Sequence, residues 1–289
     1  MHCGIMFLDF YEMGFTMGTV SIKNVYPFDL GQTLDCGQSF RWSKNADESF
    51  TGVAFSKVVT VSYEGTTLDI SHSGEVDEKL WRRYFDLDLD YQSIKEKLSN
   101  MHPVLAQASS YAGGIRILFQ DPFEALITFI ISQNNNISRI KGIVKRLCEY
   151  FGEHIEGDYY TFPTPERLSA LTVDDLAPIK AGFRHRYIID AAQKVASLEI
   201  DLEKLRTFPY EEAQKELMKI KGVGVKVADC VLLYGLHRLE SFPLDVWMKR
   251  AMKVLFDDMK GDEFGQFGGI AQQYIFHYSR HHKELFEEK

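Results

Sequence analysis

The chain has 289 residues, of which 45% are hydrophobic and 26% charged, and its net charge is −8. This is the composition of a globular protein long enough for two packed cores. No uninterrupted apolar run reaches about 18 residues, so no membrane-spanning helix is predicted. The four cysteines, Cys3, Cys36, Cys148 and Cys230, form no CxxC pair. That excludes the common zinc, iron–sulfur and disulfide patterns and favours a reducing, cytoplasmic compartment.

The charge is unevenly distributed along the chain. Residues 1–118 carry 10 basic and 15 acidic side chains, whereas residues 216–252 carry 6 basic and 4 acidic ones. The acidic total argues against a nucleic-acid partner, but a locally basic face on an acidic body is compatible with one. Charge therefore leaves DNA binding open.

The first third of the chain has the composition of β-structure. Residues 1–20 are apolar but contain Asp9 and Glu12 and lack a basic start, so no secretion signal is indicated. We assign them to an uncertain N-terminal extension. Residues 51–70 are dense in Val, Thr, Phe and Tyr, and Glu64-Gly65 predicts a hairpin turn. These features predict a β-rich domain over residues 21–118.

The pattern becomes helical after residue 118. Asp121-Pro122 is a favourable helix start before an apolar run, and Asn134-Asn135-Asn136 interrupts the helical spacing that resumes at Ile140. Further helices are predicted from Thr164, over residues 186–198, 211–220 and 225–236, and after Asp245. The predicted fold class is α+β, with an antiparallel β-rich domain followed by an all-helical domain over residues 119–289.

Residues 217–250 predict two helices joined by Gly222-Val223-Gly224, whose glycines permit a tight turn. Such a hairpin directs the first-turn N–H groups of the second helix at one spot, which suits a DNA phosphate of any sequence. We therefore predict phosphate contacts at Gly222, Gly224 and Val227. Taken alone, the two glycines are equally consistent with a plain glycine cap between two helices.

Lys226 is the candidate nucleophile because it falls in the first turn of the second helix. There the helix dipole and the neighbouring valines disfavour a charged amine and favour the neutral, nucleophilic form. A neutral amine beside a bound phosphate could attack the sugar carbon C1′ and form a Schiff base. The alternative is a surface lysine that only pairs with DNA phosphate.

Asp245 is the second candidate catalytic residue. It follows Phe242-Pro243-Leu244 and precedes a helix, so it is also a natural N-cap. Loss of a purine from deoxyribose develops positive charge on the sugar, which a nearby carboxylate stabilises. Asp245 and Lys226 are 19 residues apart, a separation that one helix and a returning loop can close.

The segments GVGVKVADC and PLDVWM resemble the helix–hairpin–helix, Gly/Pro–Asp glycosylase superfamily, and in particular its 8-oxoguanine DNA glycosylase branch. The resemblance extends over about residues 25–280. It implies a monomeric, bifunctional glycosylase and AP lyase that acts on double-stranded DNA without a cofactor or catalytic metal. It also implies no membrane association, and a nucleoid-associated enzyme if the source is a prokaryote.

Other segments match the family's recognition loops. Within CGQSFRW, the resemblance makes Gly37 the residue whose carbonyl accepts the N7–H of oxidised guanine. It also makes Gln272 the reader of the base's Watson–Crick edge, with Phe276 and Cys230 stacked on its two faces. Read without the family, Gly37 is a turn glycine and Phe276 and Cys230 are core residues.

The remaining matches concern the strand opposite the lesion. NNNISR places Asn134 in the gap left by the flipped base and Arg139 on the orphaned cytosine, while Phe183 and Arg184 match the family's aromatic wedge and second cytosine contact. Relatives from eukaryotes usually carry tyrosine in place of Phe183 and histidine, a phosphate ligand, in place of Trp247. We therefore expect a preference for cytosine that is relaxed.

Two alternatives remain open from the sequence. One is a bifunctional glycosylase for another damaged base, such as an oxidised pyrimidine or an alkylated purine. The other is a helix–hairpin–helix module that binds DNA without chemistry, in which arginine would replace Lys226 without loss.

Overall fold

The computed structural model describes residues 17–257 and 259–286. Its N-terminal part contains a five-stranded antiparallel sheet with the order β1-β5-β4-β3-β2. The strands are β1 (Met17–Ile22), β2 (Trp42–Lys44), β3 (Phe50–Ala54), β4 (Lys57–Glu64) and β5 (Thr67–Ser73). Residues 17–20 of the predicted extension thus form the start of β1, whereas residues 1–16 lie outside the described residues.

One face of the sheet is buried, and successive side chains of β5 alternate between that face and the other one. Val59 and Val61 of β4 are fully buried and lie beside Ile70 of β5, and the core they form includes Trp81. The predicted hairpin is confirmed, with Gly65 at a positive φ of 61° in the turn between β4 and β5.

The rest of the described chain is mainly helical, which confirms the α+β class. The helices are α1 (Leu30–Leu34), α2 (Glu78–Tyr84), α3 (Tyr91–Ser99), α4 (Pro103–Ala112), α5 (Pro122–Ser132), α6 (Ile137–Phe151), α7 (Pro165–Ser169), α8 (His185–Ala196), α9 (Tyr210–Leu217), α10 (Val225–Tyr234), α11 (Val246–Leu255) and α12 (Gly268–His281). Within the described ranges, no helix is long and apolar enough to cross a membrane.

Two details differ from the sequence-based expectation. A short hairpin, β6 (His154–Glu156) and β7 (Tyr159–Tyr160), interrupts the helical part, because Gly152 ends α6 and Gly157 reverses the chain at a φ of 50°. In addition, α3 and α4 contribute to the core of the helical part, and α4 packs against α12. The segment before residue 119 therefore reaches across to the helical core.

Gln38 anchors the loop that contains Gly37. Its buried amide nitrogen donates to the carbonyls of Thr33 (2.8 Å) and Arg116 (2.7 Å), and its Oε1 accepts from the N–H of Leu118 (2.9 Å). Because a buried amide left without partners costs free energy, these bonds hold the loop in one position against Thr33 and residues 116–118.

Candidate active site

The turn between α9 and α10 requires glycine at one of its two positions. Gly222 has a φ of 80°, and a Cβ there would lie 2.3 Å from Cδ2 of Tyr187. Gly224 is exposed, and a Cβ there would meet no other atom within 4 Å, so the turn itself does not require glycine at this position. Glycine contributes here by having no side chain. It precedes α10 without a side-chain cap, which leaves the first-turn N–H groups of α10 available to an anion.

A buried carboxylate braces this hairpin from behind. Asp229 on α10 accepts hydrogen bonds from the Tyr210 hydroxyl (2.7 Å) and from Gln214, both on α9, and Ser241 donates to the Asp229 carbonyl at 2.8 Å. Burial raises the pKa of the Asp229 carboxyl. In the sequence, Asp229 stands out only as a single acidic residue inside the mostly apolar run VKVADCVLLY, and that pattern matches no binding or catalytic motif.

Lys226 lies half-buried in the first turn of α10. Its Nζ is 5.4 Å from the centre of the Phe129 ring, which in turn stacks on Tyr234 with ring centres 5.1 Å apart. Cys230 lies one turn further along α10, on the same face of the helix as Lys226. Burial raises the pKa of the Cys230 thiol to about 11, and the Lys226 charge opposes the rise. Cys230 is therefore a neutral thiol packed beneath the lysine.

Asp245 is the N-cap of α11. Its Oδ1 accepts a hydrogen bond from the N–H of Met248 at 2.7 Å, while Oδ2 has no hydrogen bond with any described residue. Asp245 and Lys226 line the same cleft, which has a volume of about 760 Å³. The structure thus brings the two predicted catalytic residues to one cavity and leaves one carboxylate oxygen of Asp245 unbonded.

The four residues predicted to bind the damaged base lie around or behind this cleft. Gly37, with a φ of 89°, and Phe276 line it, and a Cβ at Gly37 would be 4.0 Å from Cε1 of Phe276. Gln272 is buried outside the lining, where its Nε2 donates to the Pro243 carbonyl at 3.3 Å and its Oε1 lies 3.4 Å from the Tyr234 hydroxyl. In this structure Gln272 therefore supports the loop that leads to Asp245.

A groove continues from the cleft along the loop between α5 and α6. Asn134 and Arg139 line it together with Gly224, Lys226 and Asp245. Asn134 is exposed and has a left-handed backbone with a φ of 49°. Val227 also lines the groove. Asn134, Gly224 and Val227 thus share one surface with the predicted catalytic pair, whereas Gly222 does not line it.

Phe183 and Arg184 have opposite exposures. Phe183 is 50% exposed, as expected of a wedge, whereas Arg184 is only 4% exposed. The Arg184 guanidinium lies 4.4 Å from the centre of the Phe183 ring. Its donors are bonded to backbone carbonyls of the protein, so in this structure they do not face an opposite base.

The end of α12 and the residues just after it contribute further side chains to the cleft, none of which belongs to a recognised sequence motif. His277, Arg280, His281 and Lys283 all line it. Burial lowers the pKa of His277 to about 4, with a smaller contribution from His281, so His277 is neutral at pH 7. In the sequence, these residues lie in HYSRHHK, a segment rich in histidine and basic residues that matches no motif.

Comparisons with known proteins agree with this geometry. Residues 20–126 match the N-terminal domain of 8-oxoguanine DNA glycosylase, and residues 127–262 match the HhH-GPD superfamily of base excision DNA repair proteins. An N-glycosylase/DNA lyase of Saccharomyces cerevisiae is 34% identical over 272 residues, which cover 83% of this chain and 71% of the yeast protein.

Two solved structures are similar over nearly the whole fold. The structure of MBOgg1 in complex with a low affinity DNA ligand has a TM-score of 0.86 and 45% identity, and the match covers 91% of this chain and 96% of that one. Clostridium acetobutylicum 8-oxoguanine glycosylase/lyase, bound to double-stranded DNA with cytosine opposite 8-oxoG, has a TM-score of 0.83 and 36% identity. That match covers 92% of this chain and 96% of the clostridial one.

Proposed function

Because the chain belongs to the 8-oxoguanine DNA glycosylase family of HhH-GPD base excision repair proteins, we propose that it excises 8-oxoguanine from double-stranded DNA. It then cleaves the strand at the abasic site. The observation that carries this proposal is the shared cleft of Lys226 and Asp245. The surroundings of the cleft suit both DNA binding and base recognition. The proposed phosphate-binding hairpin borders the cleft on one side, and Gly37 and Phe276 border it on the other.

Lys226 is the nucleophile of the proposed reaction. Its neutral amine attacks C1′ as the bond from C1′ to N9 breaks, and the leaving base takes the bonding electrons and a proton. A proton then passes from the attached amine to O4′, and the bond from C1′ to O4′ breaks, which opens the sugar and gives a protonated imine between Nζ and C1′. Removal of a C2′ proton then expels the 3′ phosphate by β-elimination. Phe129 supports this role because its ring lies 5.4 Å from Nζ and lines the same cleft.

Asp245 is the electrostatic partner in this mechanism. Its Oδ1 is bound to the start of α11, which holds the carboxylate in place, and its Oδ2 is available to the sugar. A preorganised carboxylate stabilises the positive charge that develops on C1′ as the base departs. It can also accept a proton from the attacking lysine.

The base and the opposite strand have separate binding groups. We assign the N7–H of 8-oxoguanine to the Gly37 carbonyl and its faces to Phe276 and Cys230. We assign its Watson–Crick edge to Gln272, whose amide must exchange its bonds to Pro243 and Tyr234 for bonds to the base. The N–H groups at Gly222, Gly224 and Val227 bind a phosphate of the lesion strand. Asn134, Phe183 and Arg139 fill the gap and contact the opposite cytosine. We propose a monomer that acts in the cytoplasm, on the nucleoid if the source is a prokaryote, and requires no cofactor.

Base release from a panel of duplexes tests the proposal. Duplexes containing 8-oxoguanine, an oxidised pyrimidine or 3-methyladenine are each incubated with the protein, and half of each reaction includes borohydride. We expect release and a trapped crosslink with 8-oxoguanine. Faster release of another lesion would assign a different substrate, and binding without release or crosslink would leave a DNA-binding module.

A further inference from the structure

Two adjacent glutamines of α12 and the last residue of α10 form a buried group of hydrogen-bonded side chains behind the cleft. Gln272, Gln273 and Tyr234 are each at most 4% exposed. Oε1 of Gln272 accepts hydrogen bonds from Nε2 of Gln273 at 3.1 Å and from the Tyr234 hydroxyl at 3.4 Å. Nε2 of Gln273 also donates to the Tyr234 oxygen. We call these three side chains the amide cluster.

The amide cluster determines which way the Gln272 amide points. Because its oxygen faces two donors, its nitrogen faces the Pro243 carbonyl, to which it donates at 3.3 Å. The bonds of Gln272, at 3.1, 3.3 and 3.4 Å, are longer than the most frequent distances of about 2.7–3.0 Å, so each is weak. A base that presents better partners can therefore compete for this amide.

Tyr234 cannot follow Gln272 toward a base. Its ring stacks on Phe129, with the ring centres 5.1 Å apart and an angle of 17° between the planes. Burial raises the pKa of Tyr234 well above its usual value, so the hydroxyl keeps its proton and remains a donor. When Gln272 turns away, this hydroxyl needs another acceptor, because a buried donor without a partner costs free energy.

Gln273 holds the acceptor that can replace Gln272. Its Oε1 is buried and has no hydrogen-bond partner among the described residues. A primary amide presents a donor and an acceptor side by side, so one hydroxyl can donate to its oxygen while accepting from its nitrogen. Rotation of the Gln273 amide therefore lets it pair with the Tyr234 hydroxyl at both ends. That pair is complete without Gln272.

We propose that Tyr234 and Gln273 are positioning residues for base recognition, which hold the Gln272 amide in the free protein and pair with each other when that amide turns to the base. The Watson–Crick edge of 8-oxoguanine offers the acceptor O6 and the donors N1–H and N2–H, so both ends of the amide find partners there. This inference rests on the proposed function and deepens it, because the cost of engaging Gln272 then depends on two residues that do not touch the base.

Two reactions of the protein separate base recognition from the rest of catalysis. Excision of 8-oxoguanine requires Gln272 to engage the base, whereas strand cleavage at a preformed abasic site has no base to engage. Both rates are measured under single-turnover conditions at saturating protein. We expect Tyr234→Phe and Gln273→Met each to lower the ratio of excision to cleavage rates by about tenfold, since each leaves its former partner unpaired when Gln272 engages.

Tyr278→Phe is the matched control. It also removes a tyrosine hydroxyl, one that lies on α12, donates to Oε1 of Gln107 at 3.1 Å and does not line the cleft. Its ratio of excision to cleavage rates should equal that of the wild type. A fall in this ratio as large as that of Tyr234→Phe would overturn the proposal, because loss of any tyrosine hydroxyl would then have the same effect.

The variant that combines Tyr234→Phe with Gln273→Met provides the sharpest test. With both polar groups removed, neither is left unpaired when Gln272 engages, so the ratio should recover to within about threefold of the wild type. Multiplied losses in the double variant would overturn the proposal, and so would wild-type ratios in both single variants. If Gln273→Met fails to fold, Tyr234→Phe, which keeps the stacked ring, decides by its own ratio. Failure of the proposed function is distinguishable, since the wild type would then release no 8-oxoguanine.

Discussion

Nε1 of Trp247 donates a hydrogen bond of 2.8 Å to Oγ of Ser279, and this bond joins the first turn of α11 to the last turns of α12. Asp245 caps the same end of α11, and Phe276 lies one turn before Ser279. The bond therefore fixes the carboxylate relative to the proposed stacking surface. It also occupies the only side-chain donor of Trp247.

Ser279→Ala should destabilise the fold because it leaves the indole N–H of Trp247 without its partner. The expected loss of unfolding free energy is about 1–3 kcal/mol, measured by urea denaturation. Replacing both partners removes the unpaired donor, so Ser279→Ala combined with Trp247→Phe should lose less than the two single changes together. A Ser279→Ala variant as stable as the wild type would show that the bond contributes nothing.

Lys226→Gln should abolish both the borohydride crosslink and strand cleavage while DNA binding remains. Glutamine has no nucleophilic amine, so no imine can form to be reduced. Lys253→Gln is the matched control, because Lys253 is an exposed lysine of α11 that lines neither the cleft nor the groove. It should retain the crosslink. A normal crosslink yield from Lys226→Gln would assign the nucleophile to another residue.

Asp245→Asn should slow base release severely and leave the fold intact. Asparagine still accepts the Met248 N–H as an N-cap, but it lacks the charge that stabilises the sugar. Loss of one well-placed electrostatic stabiliser lowers the rate by about 10²–10³, measurable as single-turnover base release. Thermal unfolding of the same variant should occur near the wild-type temperature. Wild-type rates would reduce Asp245 to a structural cap.

Arg280 and Lys283 should contact the DNA backbone from the α12 side of the cleft. Both line the cleft, and neither forms an ion pair with a described residue, so their charges are available to phosphates. Each phosphate contact removed should lower the slope of log affinity against log salt by about 1. Fluorescence anisotropy over a salt series with Arg280→Ala, Lys283→Ala and the control Arg167→Ala measures the slopes. Slopes equal to the control would place the backbone elsewhere.

The sequence by itself predicted the helix–hairpin–helix and the local placement of the two candidate catalytic residues. Gly222 adopts a positive φ, Lys226 falls in the first turn of α10 and Asp245 caps α11, as the local pattern predicts. Each of these features depends on residues within a turn or two of one another. The helix periods and turn glycines that encode them can therefore be recognised without knowledge of the rest of the fold.

Only the tertiary structure decided which partners the long polar side chains have. Arg184 donates to a carbonyl 51 positions earlier in the chain, and Gln272 donates to a carbonyl 29 positions earlier. Lys226 packs on Phe129, which belongs to another helix. A sequence states that a side chain has donors, but not whether they bind DNA or the protein's own backbone. The partner depends on which backbone carbonyls the packed helices leave unpaired nearby. A buried donor bonds to one of them because a buried donor without a partner costs free energy.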